Sequence, residues 1–268
     1  MPDRPVRPGA APFRHDGGGT GVLLCHGFTG SPASLRPWAE QLAAVGLTVR
    51  LPLLPGHGSD WRDLALTRWP DWYLTVEREL LDLAAVCDQV FVMGLSMGGT
   101  LTLRLAQQHP EEVAGIVVVN PSVHSRNRAL KALPALRLVV PAVPGIRNDI
   151  KRPGQDEVAY GRMPLQALHS LTHLWAEVSH DLPSVTCPVL VFASDEDHVV
   201  EPSNAVEVVE RVGATDVTMV PLHDSYHVAT LDNDAPMIVE QSLAFVRRLT
   251  GDESIPDPAA PSPAGRTS

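Results

Sequence analysis

Short runs of apolar, mostly β-branched residues recur along the chain, at residues 22–25, 48–51, 90–93, 116–119, 189–192 and 217–220. They are continuous rather than alternating, which is how strands covered on both faces of a parallel sheet read. Between them the apolar positions return every three or four residues. On that spacing 34–45, 72–86, 97–109, 204–212 and 235–249 read as helices; in the second, Val76, Leu80, Leu83 and Val86 form the stripe. Strand alternating with helix predicts an α/β fold, a mostly parallel central sheet flanked by helices.

One interval breaks the rhythm. Residues 121–183 contain no β run. They hold a proline-bounded apolar stretch at 134–141, then Leu165, Leu168, Leu171, Leu174 and Val178 at helical intervals. An insertion this long, after a strand ending near Val119, is expected to be a small cap over a site; the alternative is two ordinary packing helices. Residues 1–11, with three prolines, are expected to be a flexible N-terminal segment, 12–250 the folded domain, and the Pro-, Ala- and Ser-rich 251–268 a disordered tail.

Composition mainly excludes. Net charge is −10, from 31 acidic against 21 basic residues, and no Lys/Arg-rich block reverses that locally. Such a chain has no general attraction for nucleic acid or anionic lipid. No stretch reaches the roughly 18 apolar residues of a membrane span, so no integral membrane segment is expected. The first fifteen residues lack the apolar core of a secretory signal, and a cytoplasmic location is expected. Cys25, Cys87 and Cys187 are odd in number, widely spaced and without metal-ligand spacing. They read as reduced thiols, and no metal or other cofactor is expected.

The chemistry begins at Gly94-Leu95-Ser96-Met97-Gly98-Gly99. G-x-S-x-G alone is weak; at ordinary residue frequencies chance supplies it in roughly one chain in ten of this length. Here an apolar run leads directly in and a helical pattern directly out, which is the strand–turn–helix setting the motif requires. His26-Gly27-Phe28-Thr29-Gly30 follows the 22–25 run. In such an arrangement the loop there donates one backbone N–H to an oxyanion hole, so the Phe28 and Met97 N–H groups are the candidates. After the 189–192 run come three acids, Asp195, Glu196 and Asp197. Asp197, three positions before Val200, fits the usual loop best, with Asp195 as the alternative. Eleven histidines are present, and His227 stands out because it follows the 217–220 run and precedes the last helix; His223 is the alternative. The order Ser96, Asp197, His227 is that of the α/β-hydrolase fold. Ser96 would be the nucleophile, His227 its base, and Asp197 the carboxylate that orients the imidazole.

Four runs carry a family likeness: Gly27 to Gly30, Gly94 to Thr100, Ser194 to Val200, and Ser225-Tyr226-His227-Val228-Ala229-Thr230-Leu231-Asp232 with the two residues after it. In these the chain resembles bacterial monoacylglycerol lipases and the related thermostable carboxylesterases, over about residues 12–249. The resemblance favours Asp197 over Asp195 and His227 over His223. It implies hydrolysis of a small-molecule acyl ester or monoacylglycerol, a glycerol-contacting carboxylate at Glu157, and a cap position affecting chain length at Ile146. For Glu157 the competing reading is a solvent-facing helix charge. Residues 123–143, with extra Arg and Pro, depart from the family pattern. Serine at position 96 excludes dehalogenase and epoxide hydrolase chemistry, which use Asp there. Perhydrolases and thioesterases keep the serine, and a non-catalytic ligand receptor would have no need of the complete catalytic set.

Overall fold

The structure is a computed structural model and describes residues 4–256. Its centre is a seven-stranded sheet. The strands are β1 (Phe13–His15), β2 (Thr20–Cys25), β3 (Thr48–Leu51), β4 (Gln89–Leu95), β5 (Val113–Val119), and, after a two-stranded ribbon of β6 (Ala142–Pro144) and β7 (Arg162–Pro164), β8 (Val189–Ser194) and β9 (Val217–Leu222). The order in the sheet is β1-β3-β2-β4-β5-β8-β9. Only β1 runs antiparallel to its neighbour. The helices are α1 (Arg36–Ala44), α2 (Trp61–Leu64), α3 (Trp69–Ala84), α4 (Met97–Gln108), α5 (Leu133–Leu136), α6 (Leu165–His180), α7 (Ser203–Arg211) and α8 (Ala235–Thr250).

The continuous apolar runs are explained by two cores, one on each face of the sheet. Successive side chains of a strand point to opposite faces. Leu23 and Cys25 of β2, Val90 and Val92 of β4, and Val189 and Val191 of β8 join α3, α4, α6 and α7 on one face. Val22 and Leu24, Phe91 and Met93, and Leu190 and Phe192 join α1 and α8 on the other. The edge strand β9 differs: Met219 is 40% exposed, because no strand lies beyond it.

The 121–183 interval, read from sequence as free of strands, contains the β6–β7 ribbon. Each of its strands has three residues and a proline, too short and irregular for period-two alternation to register. Helix α6 does two jobs. Leu165, Ala167, Leu174 and Val178 are buried in the core beside α3 and α4, while Leu168, Leu171 and Trp175 line a cavity above the sheet. Residues 4–10 lie along the body. The Arg7 N–H donates to the Gly58 carbonyl (2.7 Å), Arg4 pairs with Asp63, and Ala10 is fully buried. Beyond the Gly251 cap of α8, Ile255 is buried. The first three residues of the N-terminal segment and 257–268 of the expected tail lie outside the described residues.

Candidate active site

Ser96 stands on the turn between β4 and α4 with φ 56° and ψ −121°, a backbone conformation that residues with a side chain rarely adopt. Its glycine neighbours permit the turn. A Cβ at Gly94 would lie 2.3 Å from the Gly98 carbonyl oxygen, and one at Gly98 would lie 1.8 Å from that of Cys25. Both distances are far inside van der Waals contact, so only hydrogen fits. The turn places Ser96, 8% exposed, in the wall of a cavity of about 410 Å³.

The loop after β2 passes beside the serine: a Cβ at Gly27 would lie 3.5 Å from that of Ser96. His26 pins this loop. Its Nε2 accepts the Leu54 N–H (3.2 Å) and its Nδ1 lies 3.0 Å from the Gly27 carbonyl, so the neutral Nδ1–H tautomer satisfies both partners. Phe28 packs against Trp72 and His57 at ring separations of 5.7 and 6.4 Å. The Phe28 and Met97 N–H groups have no acceptor among the described residues. Two unpaired donors next to a serine oxygen suit a developing oxyanion, and Met97 adds the positive end of α4.

His227 lies in the loop between β9 and α8, and Asp197 in the loop after β8. His227 Nδ1 is 2.7 Å from Asp197 Oδ2, with the two side chains 8% and 2% exposed. The other Asp197 oxygen accepts the Val199 and Val200 N–H groups at 2.8 and 2.7 Å. Burial alone would lower the His227 pKa. The Asp197 carboxylate, aided by Glu157 and Asp149, outweighs it and raises the value above the ordinary one. His227 lines the same cavity as Ser96. The alternative acid and base pair with each other instead. His223 Nδ1 is 2.7 Å from Asp195 Oδ2 on the surface, with side chains 72% and 58% exposed.

Glu157 is buried in a loop rather than facing solvent from a helix. Its Oε1 accepts the Asn148 N–H (2.7 Å), and its own N–H returns a bond to Asn148 Oδ1 (3.1 Å). Its Oε2, close to Gly30, accepts no hydrogen bond among the described residues. Burial pushes its pKa up. Glu157 lines the cavity together with the apolar Leu130, Met163, Leu168, Leu171 and Trp175, and Ile146 lines it while staying 58% exposed.

Three residues to which the sequence reading gave no role hold this arrangement. Asp149, also in the cavity wall, accepts the His227 N–H (3.1 Å) and the His198 N–H (3.3 Å) on Oδ2, and its Oδ1 lies 2.8 Å from His198 Nδ1. One cap carboxylate thus ties the acid loop to the histidine loop. Asn120, at the end of β5 with φ 45°, donates to the His227 carbonyl (2.8 Å) and accepts the Ser194 N–H (2.8 Å). Asp232 is fully buried and accepts the N–H groups of Tyr226, Lys151, Arg152 and Asn233 at 2.6–2.9 Å. Asp232 falls inside the run that carried the resemblance, and that was its only signal. Asp149 had none, because the contact joins positions nearly eighty residues apart.

The strand order, the serine on the β4–α4 turn and the acid and histidine after β8 and β9 define an α/β-hydrolase. Within that fold the chain belongs to the family described as "Serine aminopeptidase, S33", whose model matches residues 20–234. It is 43% identical over 254 residues to the thermostable monoacylglycerol lipase of Bacillus sp. (strain H-257), covering 92% of this chain and 98% of that protein. It is 27% identical to a carboxylesterase of Bacillus subtilis (strain 168), covering 89% and 96%. A solved structure from LipS and LipT, two metagenome-derived lipolytic enzymes, superposes with a TM-score of 0.89 at 42% identity, over 91% of this chain and all of that one. The monoacylglycerol lipase of Paleococcus ferrophilus shares the fold at a TM-score of 0.72 and 17% identity, over 90% and 98%.

Proposed function

We propose that this protein hydrolyses carboxylic esters through an acyl-enzyme on Ser96, and that its preferred substrates are monoacylglycerols, split into fatty acid and glycerol. The observation that carries the reading is the buried His227–Asp197 pair, whose His227 lines one cavity with Ser96, beside two unpaired backbone donors. His227 Nε2 takes the proton as Ser96 Oγ attacks the ester carbon. Asp197 Oδ2 accepts the Nδ1–H bond and stabilises the imidazolium. The Phe28 and Met97 N–H groups receive the oxyanion. The tetrahedral species collapses as His227 returns its proton to the leaving alcohol. Water, deprotonated by the same imidazole, then releases the acid and restores Ser96.

The glycerol preference rests on Glu157. Its unpaired Oε2 can accept from the two free hydroxyls of a monoacylglycerol, while the apolar residues of the cavity take the acyl chain and Ile146 bears on its length. Similarity to a monoacylglycerol lipase at 43% identity supports the same reading. A second reading, carboxylesterase action on short-to-medium acyl esters, is favoured by the likeness to the Bacillus subtilis protein. Free thiols at Cys25, Cys87 and Cys187 support the cytoplasmic location expected from the sequence.

Glu157→Gln separates the two substrate readings. It keeps an oxygen for the Asn148 N–H but replaces the free acceptor with a donor. A bond to a charged acceptor contributes about 1.5–3 kcal/mol. The kcat/KM for a monoacylglycerol should therefore fall by roughly tenfold or more, while that for a p-nitrophenyl ester of the same chain length stays within about twofold. Equal falls on both substrates would return the assignment to a simple carboxylesterase.

A further inference from the structure

One polar side chain in the cavity has no task in the chemistry above. Ser122 lies just past β5, is 4% exposed and lines the cavity together with Ser96. Its Oγ forms no hydrogen bond among the described residues and is not sealed off by them, so the hydroxyl opens into the cavity. Buried hydroxyls are normally bonded, and only a molecule inside the cavity can reach this one. Its backbone is fixed. The Ser122 N–H donates to the Ser96 carbonyl (3.4 Å), and the Thr100 hydroxyl donates to the Ser122 carbonyl. The next two N–H groups, of Val123 and His124, donate to the buried Asn204 Oδ1 at 2.7 and 2.8 Å. A hydroxyl on so rigid a mount is preorganised for a ligand.

The sheet order fixes which end of a substrate it meets. Strand β4, with Ser96 at its end, lies between β2 and β5. Glu157 belongs to the β2 side: its carbonyl accepts from Ser31 Oγ (3.0 Å), and a Cβ at Gly30 would lie 3.6 Å from its Oε2. Ser122 belongs to the β5 side. Helix α6, which brings the apolar Leu168, Leu171 and Trp175 to the cavity, is tied to that side by Ser179 Oγ donating to the Val123 carbonyl (2.8 Å). With the alcohol at Glu157, the acyl group leaves Ser96 past Ser122 and runs on to the apolar wall. Because residues 96 and 122 are joined by a backbone bond, the Ser122 hydroxyl meets the carbons next to the ester carbonyl and not the distant ones.

We propose that Ser122 selects acyl groups that carry a hydroxyl on the second or third carbon. The proposal rests on the ester-hydrolase reading and on the alcohol lying at Glu157. The reaction is ordinary hydrolysis: ester and water give a hydroxy acid and the alcohol, and the acyl hydroxyl is neither made nor lost. That hydroxyl bonds to Ser122 Oγ, which can donate or accept. An unsubstituted chain sets a methylene against Ser122 and leaves its hydroxyl unpaired, and that is where the discrimination arises.

The test compares ethyl 2-hydroxybutyrate and ethyl 3-hydroxybutyrate with ethyl butyrate, by titration of the released acid. One enantiomer of a hydroxy ester should show a kcat/KM about tenfold above that of ethyl butyrate. Its mirror image should lag behind, because one fixed hydroxyl reads one configuration. Ser122→Ala should reverse the order: slower on the favoured hydroxy ester and faster on ethyl butyrate, since a methyl group then faces the chain. The gain on ethyl butyrate also shows that the variant folds. Ser122→Thr keeps the hydroxyl and should keep the preference. When the extra hydroxyl sits on the alcohol instead, in 2-hydroxyethyl butyrate, its rate relative to ethyl butyrate should be the same in the wild type and in Ser122→Ala. A wild type that favours no hydroxy ester, a preference that survives Ser122→Ala, or an effect confined to the alcohol-side ester would overturn the proposal while leaving the hydrolase reading in place. No turnover of any of these esters by the wild type would remove both.

Discussion

Asp149 shows how the site is held at the scale of single residues. Its carboxylate grips the backbone of His227 and both the backbone and ring of His198, and it helps raise the His227 pKa. In the proposed mechanism it is a positioning residue, acting through His227. Asp149→Ala should lower kcat by about tenfold with less change in KM, because the backbone that carries His227 loses its anchor. Asp149→Asn keeps an acceptor and should restore much of kcat. The proposed base must be neutral to act, so kcat/KM of the wild type should fall as pH drops through a value raised above the ordinary histidine pKa. In Asp149→Asn that acid limb should move to lower pH, since one of the charges favouring the imidazolium is gone. An unmoved limb with unchanged kcat in both variants would reduce Asp149 to a packing role. Ser96 and His227 were legible in sequence because each sits at a fixed offset from a recognisable strand. The register of Asp197 was separated from Asp195 by resemblance; the physical separation is burial, which one-dimensional spacing does not carry.

At the scale of elements, the β4–α4 turn depends on the absence of side chains at two positions. Gly98→Ala would push a Cβ to 1.8 Å from the Cys25 carbonyl oxygen. The atoms it would meet, on Cys25 and His26, all belong to backbone, so β2 and α4 must separate, and the Phe28 and Met97 donors separate with them. Such a change should lower the Tm and abolish ester turnover, with overpacking costs of about 1–3 kcal/mol or more. A Gly98→Ala protein of parental Tm and activity would show that the turn has room the structure does not give it. The main strands and the long helices were legible because two cores impose unbroken apolar runs on the strands and a repeating stripe on the helices. The cap was less legible. Its ribbon is too short to show a period, and α6 reads as one amphipathic helix although its buried side chains divide between core and cavity.

The whole molecule should be acid-sensitive for a reason unconnected with turnover. His26 and His57 are buried side by side, with ring centroids 5.0 Å apart. Burial lowers the pKa of His26 to about 4 and that of His57 well below its ordinary value, the latter with help from repulsion by His26. The unfolded chain therefore binds protons below pH ~6.5 that the folded chain refuses, and stability falls as pH falls. His26 alone should cost about 2 kcal/mol between pH 7 and pH 5, and His57 adds to the loss in the same direction. The urea midpoint should drop over that range, and His26→Gln should show a smaller drop; an identical drop in both would contradict this origin. The proposed activity turns on Ser96 as an activated nucleophile. Intact-mass and peptide mass spectrometry after treatment with a fluorophosphonate ester tests that most directly. A single adduct on Ser96, formed quickly by the wild type and only very slowly by His227→Ala, is the predicted result; no adduct, or an adduct on any other residue, would contradict it.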